Sequence, residues 1–172
     1  MHHMRTFVRR SFGDAAWRSV LSSMSAEDAA DLGGLVPVGW YPLALQHRLL
    51  KAIDAELGDG GGELIKRIGC YEAQQDLTVV HRLFLKMANP GFVLQQAGRY
   101  WGRFYDSGEW EVDRVSSTEA KGVLRGLDPF DASMADYLRA YIGEMWVLMG
   151  AKAVQVKTQV RGGDIHLSGR WA

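Results

Sequence analysis

The chain has 172 residues, 47% hydrophobic and 23% charged, which is enough length and apolar content to bury a core and excludes a disordered or fibrous chain. Twenty Lys and Arg offset twenty Asp and Glu, so no net field recruits a polyanion, and nucleic acid is not expected as a partner. Cys70 is the sole cysteine, which excludes an intrachain disulfide and a cysteine-rich zinc site and suits a reducing, cytoplasmic location.

One domain spanning 1–172 is expected, with residues 1–12 set aside as an N-terminal segment that is partly disordered or tag-derived. Ala15, Trp17, Val20, Leu21 and Met24 predict a first helix from Asp14 to Met24. Ser25-Ala26-Glu27-Asp28 opens a short helix ending at Gly33-Gly34, followed by a loop through Val36-Pro37-Val38-Gly39-Trp40-Tyr41. From Pro42 to Leu57 the stripe Leu45, Leu49, Leu50, Ile53, Leu57 predicts an amphipathic helix with proline at its first position. Gly58-Asp59-Gly60-Gly61-Gly62 lacks the Lys-Ser/Thr ending of a phosphate loop and reads as a flexible junction.

Leu64, Ile65, Ile68 and Tyr71 mark the next helix; Leu77, Val80, Leu83, Phe84 and Met87 mark another, ended by Asn89-Pro90-Gly91. Gly91 to Tyr105 continues helically, and Gly98 and Gly102, one turn apart, invite close approach of another backbone. The period then changes from helical to alternating. Trp110 and Val112, then Ala120, Gly122 and Leu124, predict two strands. Asp131 caps a long helix carrying Met134, Tyr137, Leu138, Tyr141, Ile142, Met145 and Leu148 on one face until Gly150. Val154, Val156, Thr158 and Val160, then Ile165, Leu167, Gly169 and Trp171, predict a closing β-hairpin around Gly162-Gly163 with one buried face. The order of mostly helices, two strands, a long helix and a hairpin predicts an α+β fold, a helical layer on one face of a small antiparallel sheet. The N-terminus has no signal-peptide core and no stretch is apolar enough to span a bilayer, so membrane insertion is not expected.

No motif carries catalysis. Paired ligands at metal-site spacing and the Gly-x-Ser-x-Gly elbow are absent. Cys70 and His81 fall on different predicted helices and read as a buried structural cysteine and a surface histidine; His47 reads as solvated, and His166 projects from a polar strand face. Glu109 and Glu111 share an exposed strand face with Asp113, and Arg99 and Arg103 either hold an anionic group or are simply solvated. No catalytic residue, metal site or cofactor is therefore assigned, and binding is favoured over catalysis. The strongest constellation is aromatic and Met-rich: Trp40, Tyr41, Trp101, Tyr105, Met134, Tyr137, Tyr141 and Met145 form the candidate ligand pocket or dimer face, with ordinary core packing as the competing role.

Trp40-Tyr41-Pro42 before a helix, the glycine run before Glu63-Leu64-Ile65, Tyr100-Trp101 through Tyr105-Asp106-Ser107-Gly108, Leu148-Met149-Gly150-Ala151 and the terminal Arg170-Trp171 resemble a myxobacterial paralogous family of unknown function. That family is similar to the superfamily joining heme-NO-binding domains, 4-vinyl-reductase domains and the Bet3-like subunits of the TRAPP vesicle-tethering complex. The resemblance implies helices packed on an antiparallel sheet, an apolar cavity that in relatives takes heme, aromatic compounds or an acyl chain, and a homodimer formed through helices. It also implies a sensory or adaptor role with a hydrophobic small molecule or a protein partner. Heme itself is not expected, because Tyr105-Asp106-Ser107-Gly108-Glu109 lacks the arginine of the Tyr-x-Ser-x-Arg pattern and no histidine stands in place as axial ligand. The alternatives are a protein-interaction module without ligand and an enzyme.

Overall fold

The computed structural model describes residues 1–36, 39–77, 89–103, 105–114, 116–128 and 130–172. Helix α1 spans His2–Ser23, so it starts well ahead of Asp14. Residues 2–12 form its first half, with Met4 and Val8 fully buried, and the chain kinks at Gly13, whose φ of 88° suits only glycine. Helix α2, Ala26–Gly33, opens on Ser25, whose side chain accepts from Asp28 N. Helix α3, Leu43–Leu57, has Pro42 as N-cap instead of first helical residue. Its free Leu43 N–H is satisfied across the molecule by Asp106 Oδ1 at 3.1 Å.

The glycine run between α3 and α4 (Glu63–Asp76) is tied down: Gly62 N donates to the buried Asp54 carboxylate at 3.2 Å, and Gly61 N to Asp59 Oδ1 at 2.9 Å. The helix expected over Leu77, Val80, Leu83, Phe84 and Met87 falls almost wholly outside the described residues. Helix α5, Pro90–Tyr100, is capped by Asn89 and tightens into a 3-10 turn, Trp101–Arg103, short of the helical run expected to Tyr105. Strands β1 (Glu109–Arg114) and β2 (Glu119–Arg125) follow. Helix α6, Ala132–Leu148, is capped by Asp131, and strands β3 (Gln155–Arg161) and β4 (Asp164–Arg170) close the chain.

The four strands pair antiparallel in the order β1-β2-β4-β3. The register stacks Trp110, Leu124, Ile165 and Val160 in one row and Val112, Gly122, Leu167 and Thr158 in the next. That alternation buries one face against the helices and leaves Lys121, Ser168 and Lys157 on the other. The fold is α+β, as the pattern predicts. Burial fades at the β3 edge, where Val160 is 45% exposed. Two glycines set the helix placement. A Cβ on Gly98 would lie 2.7 Å from Trp110 Cδ1, so α5 runs directly against β1; Gly102 has no such neighbour. A Cβ on Gly69 would lie 2.7 Å from the backbone Tyr137 O, so α4 and α6 cross backbone to backbone with no room for alanine.

Candidate functional site

Where α5, α6 and the start of β1 diverge, they enclose an inner cavity of about 420 Å³, within the range of small-molecule pockets. One wall is aromatic. Trp101 stacks on Tyr105 with ring centroids 4.1 Å apart and on Trp110 at 5.9 Å, and Trp101 Nε1 donates to Ser107 O at 2.9 Å, which fixes the indole. Tyr141, Ile142 and Met145 of α6 line the opposite side with Leu138, and Leu94 and Ala97 of α5 complete it. At the mouth stands Asp76, the last residue of α4, its side chain 44% exposed. Its Oδ2 accepts from Tyr141 Oη at 2.9 Å, and its Oδ1 lies 3.4 Å from His3 Nε2.

Asp76 and Tyr105 also line a second, outer chamber of about 330 Å³, so the two spaces adjoin. This chamber takes in Trp40, Tyr41, Tyr137, Glu72 and Arg103, together with the first residues of α1. Glu72 is 4% exposed; it accepts from Tyr137 Oη at 2.7 Å and lies 3.4 Å from the Met1 ammonium. Burial, with the Glu72 and Asp76 carboxylates nearby, pushes the phenols of Tyr105, Tyr137 and Tyr141 well above their ordinary pKa. They are neutral at physiological pH, and two of them donate their protons to the carboxylates.

The structure divides the candidate residues. Trp101, Tyr105, Tyr141 and Met145 line the inner cavity; Trp40, Tyr41 and Tyr137 line the outer chamber. Trp40 is 63% exposed, and Tyr41 accepts from Val36 N at 2.9 Å. Met134, 1% exposed, lines neither and packs in the core. Sequence reasoning missed Asp76 and Glu72 because carboxylates near a helix end read as solvated. It also missed Trp110, whose strand alternation signalled burial but not a cavity. His47 is a correction: it is 9% exposed, not solvated, with Nε2 2.8 Å from Asp131 Oδ2. His81 lies outside the described residues. Arg103 lines the outer chamber, whereas Arg99 is exposed.

No protein-family model and no curated protein sequence matches the chain. Solved structures do. The Fe(II) unliganded H-NOX protein from K. algicida superposes with a TM-score of 0.76 at 10% identity, covering 99% of this chain and 94% of that one. The chain has the H-NOX fold. An H-NOX protein from S. oneidensis in the Fe(II)NO ligation state gives a TM-score of 0.73 at 8% identity, covering 99% and 96%. An oxygen-binding H-NOX domain related to soluble guanylate cyclases gives 0.66 at 10%, covering 99% and 92%. The resemblance to heme-NO-binding domains read from the sequence therefore holds at the level of fold.

The described residues do not fit heme. The inner cavity has no histidine in its described lining, and its tyrosines are neutral phenols, not the tyrosinate a Tyr-ligated heme needs. His2 and His3 line the outer chamber, where His3 contacts Asp76. The motif nearest to Tyr-x-Ser-x-Arg is occupied structurally: Asp106 caps α3, and Ser107 Oγ donates to Asp128 O at 2.8 Å while accepting from Asp128 N at 3.1 Å. Where a propionate would need a cation, the described inner lining instead offers the Asp76 carboxylate. Among the described residues no group of three or more His, Cys, Asp and Glu could hold a metal ion, and no helix is long and apolar enough to cross a membrane.

Proposed function

We propose that the chain is a non-enzymatic sensory or adaptor domain that binds a hydrophobic small molecule, without heme, in the inner cavity, and that it works in the cytoplasm as a homodimer. The observation that carries the reading is the cavity of about 420 Å³ walled by the fixed Trp101-Tyr105-Trp110 stack. Rigid aromatic walls gain contact area on binding with little entropy to lose. The H-NOX fold supports a sensing role by analogy. Cys70, the one thiol, is pushed up by burial and has Sγ 3.8 Å from Ala140 O, which favours a packing role over nucleophilic chemistry.

Native mass spectrometry of protein purified without added ligand tests this reading, and a filled cavity is its control. Met145→Trp projects an indole into the space, so the variant is expected to lose retained ligand or weaken binding at least about tenfold, with stability changed by about 1–2 kcal/mol. Unchanged retention in a folded Met145→Trp protein would place the ligand elsewhere. Titration with haemin is expected to give no stoichiometric histidine-ligated Soret band; such a band would overturn the heme-free part of the proposal.

A protein partner is the second reading, favoured by a groove of about 600 Å³ between α4, α6 and β3 in which Val147 is 52% exposed. If the groove is the homodimer face, Val147→Arg is expected to convert dimer to monomer in size-exclusion chromatography with light scattering; a dimer that survives the change excludes this face.

A further inference from the structure

Among the described lining residues of the inner cavity, Asp76 alone is charged. Its carboxylate still has acceptor capacity. Tyr141 Oη donates to Oδ2 at 2.9 Å, which leaves that oxygen's second lone pair open, and Oδ1 faces His3 Nε2 at 3.4 Å, longer than a strong charged hydrogen bond. Glu72, a helical turn earlier, is more fully engaged: Tyr137 and the Met1 ammonium both reach it, and its side chain is 5% exposed against 44% for Asp76. Asp76 is thus the carboxylate a bound molecule can reach. Arg103 and the Met1 ammonium stand in the outer chamber, not in the inner lining.

The charge of the described lining is correspondingly one-sided. The Tyr141 phenol has its proton committed to Asp76 and the Trp101 indole to Ser107, whereas the buried Trp110 Nε1, with no hydrogen-bond partner among the described residues, remains a neutral donor in the wall. What a ligand meets is an aromatic stack with one neutral N–H donor, an aliphatic floor and a negative acceptor at the mouth. A carboxylic acid would face that carboxylate with no described cation in the lining to offset it. A protonated amine would find an acceptor for its three donors while electron-rich ring faces sit beside its positive charge.

Resting on the small-molecule reading above, we infer that the inner cavity selects an organic amine: a compact flat apolar body lies against Trp101, Tyr105 and Trp110, and its protonated nitrogen pairs with Asp76 at the mouth. The same arrangement discriminates against acyl-chain carboxylates and other acids of equal shape.

Isothermal titration calorimetry with three probes of one shape separates this inference from the reading beneath it: 1-naphthylmethylamine, 1-naphthylmethanol and 1-naphthoic acid, each titrated into the full chain at pH 7. The amine is expected to bind about tenfold more tightly than the alcohol, and the acid more weakly than either. Asp76→Asn keeps an acceptor for Tyr141 and removes the charge; it should reduce the amine to the alcohol's affinity and leave the alcohol within about twofold. Equal binding of amine and alcohol, or tightest binding of the acid, overturns the amine selectivity while leaving the cavity reading intact. Failure of all three to bind removes both. The wild-type ranking decides the question by itself if the variant does not fold.

Discussion

Replacing Gly169 with alanine is expected to lower the unfolding free energy by about 2 kcal/mol, a large part of the stability of a chain this size. Gly169 lies in β4, paired with Ala120 on β2 and Val156 on β3, and its Cα–H faces α6. Trp146 of α6 points a ring edge into that gap, so Trp146 Cη2 and Cζ3 occupy the space a Cβ would need. The indole cannot swing away: it is 0% exposed, and Trp171 meets it edge-on with centroids 5.0 Å apart. Alanine gains roughly 0.5–1 kcal/mol over glycine from the smaller backbone entropy loss, which offsets only part of the clash. A double-mutant cycle isolates the contact. Trp146→Phe removes the outer ring, and in that background Gly169→Ala is expected to cost less than about 0.5 kcal/mol. Chemical denaturation followed by circular dichroism measures all four proteins. A neutral Gly169→Ala in the wild-type background would show that Trp146 does not seat on this strand.

Why that glycine was readable as a strand residue but not as a seat explains much of what the sequence conveys. The period-2 runs around Trp110, Leu124, Val156 and Ile165 specify strands and their inward face because burial on one side of a pleated sheet leaves a local trace. The identity of the group that crosses to meet each glycine leaves none, since the Trp146 indole at Gly169 and the Tyr137 backbone carbonyl at Gly69 are distant in sequence. Helix α1 was legible only in part. Met4, Phe7 and Val8 stand at helical spacing, yet Arg5, Arg9 and Arg10 between them and Gly13 after them mimic a solvated lead-in. The α6 face read as one stripe, but it serves two ends: Met134 packs the core, while Leu138, Tyr141, Ile142 and Met145 open on the cavity.

The same limit shaped the site. Aromatic and methionine residues announced an apolar pocket by composition, and Trp101, Tyr105, Tyr141 and Met145 do meet around one. What gives that pocket its sign is Asp76, whose meaning depends on Tyr141 arriving from another helix 65 residues later. A lone carboxylate at a helix end is ordinary in sequence and becomes informative only when the fold gives it a phenol donor and an aromatic wall.

Asp131→Ala is expected to be the other costly single change, at about 2–3 kcal/mol at pH 7, because one carboxylate performs two tasks. Oδ1 accepts from Ser133 N at 2.9 Å and Met134 N at 3.3 Å, which satisfies the first turn of α6. Oδ2 lies 2.8 Å from His47 Nε2 and 3.1 Å from Lys51 Nζ, which ties α3 to that same turn. Alanine removes the cap and strips the buried His47 of its contact. Asp131→Asn retains a good cap and loses only the charge, so about 1 kcal/mol is expected. Burial by itself would push the Asp131 carboxyl up, but the close His47 imidazole and the hydrogen bond from Lys51 outweigh it and hold the group below its ordinary value of 3.8. A carboxylate depressed in the folded state contributes stability that is fully present above its unfolded pKa, about 3.9, and is lost as pH falls through the folded value. Denaturation midpoints of wild type, Asp131→Asn and Asp131→Ala at pH 7 and pH 3 should therefore converge in acid, the wild type losing the charge-dependent part that the variants never had. Both gaps should shrink by the same amount, which is the larger fraction of the gap to Asp131→Asn because that variant differs by the charge alone, and a gap that stays constant between the two pH values would mean that Asp131 holds α3 and α6 by shape and capping without its charge.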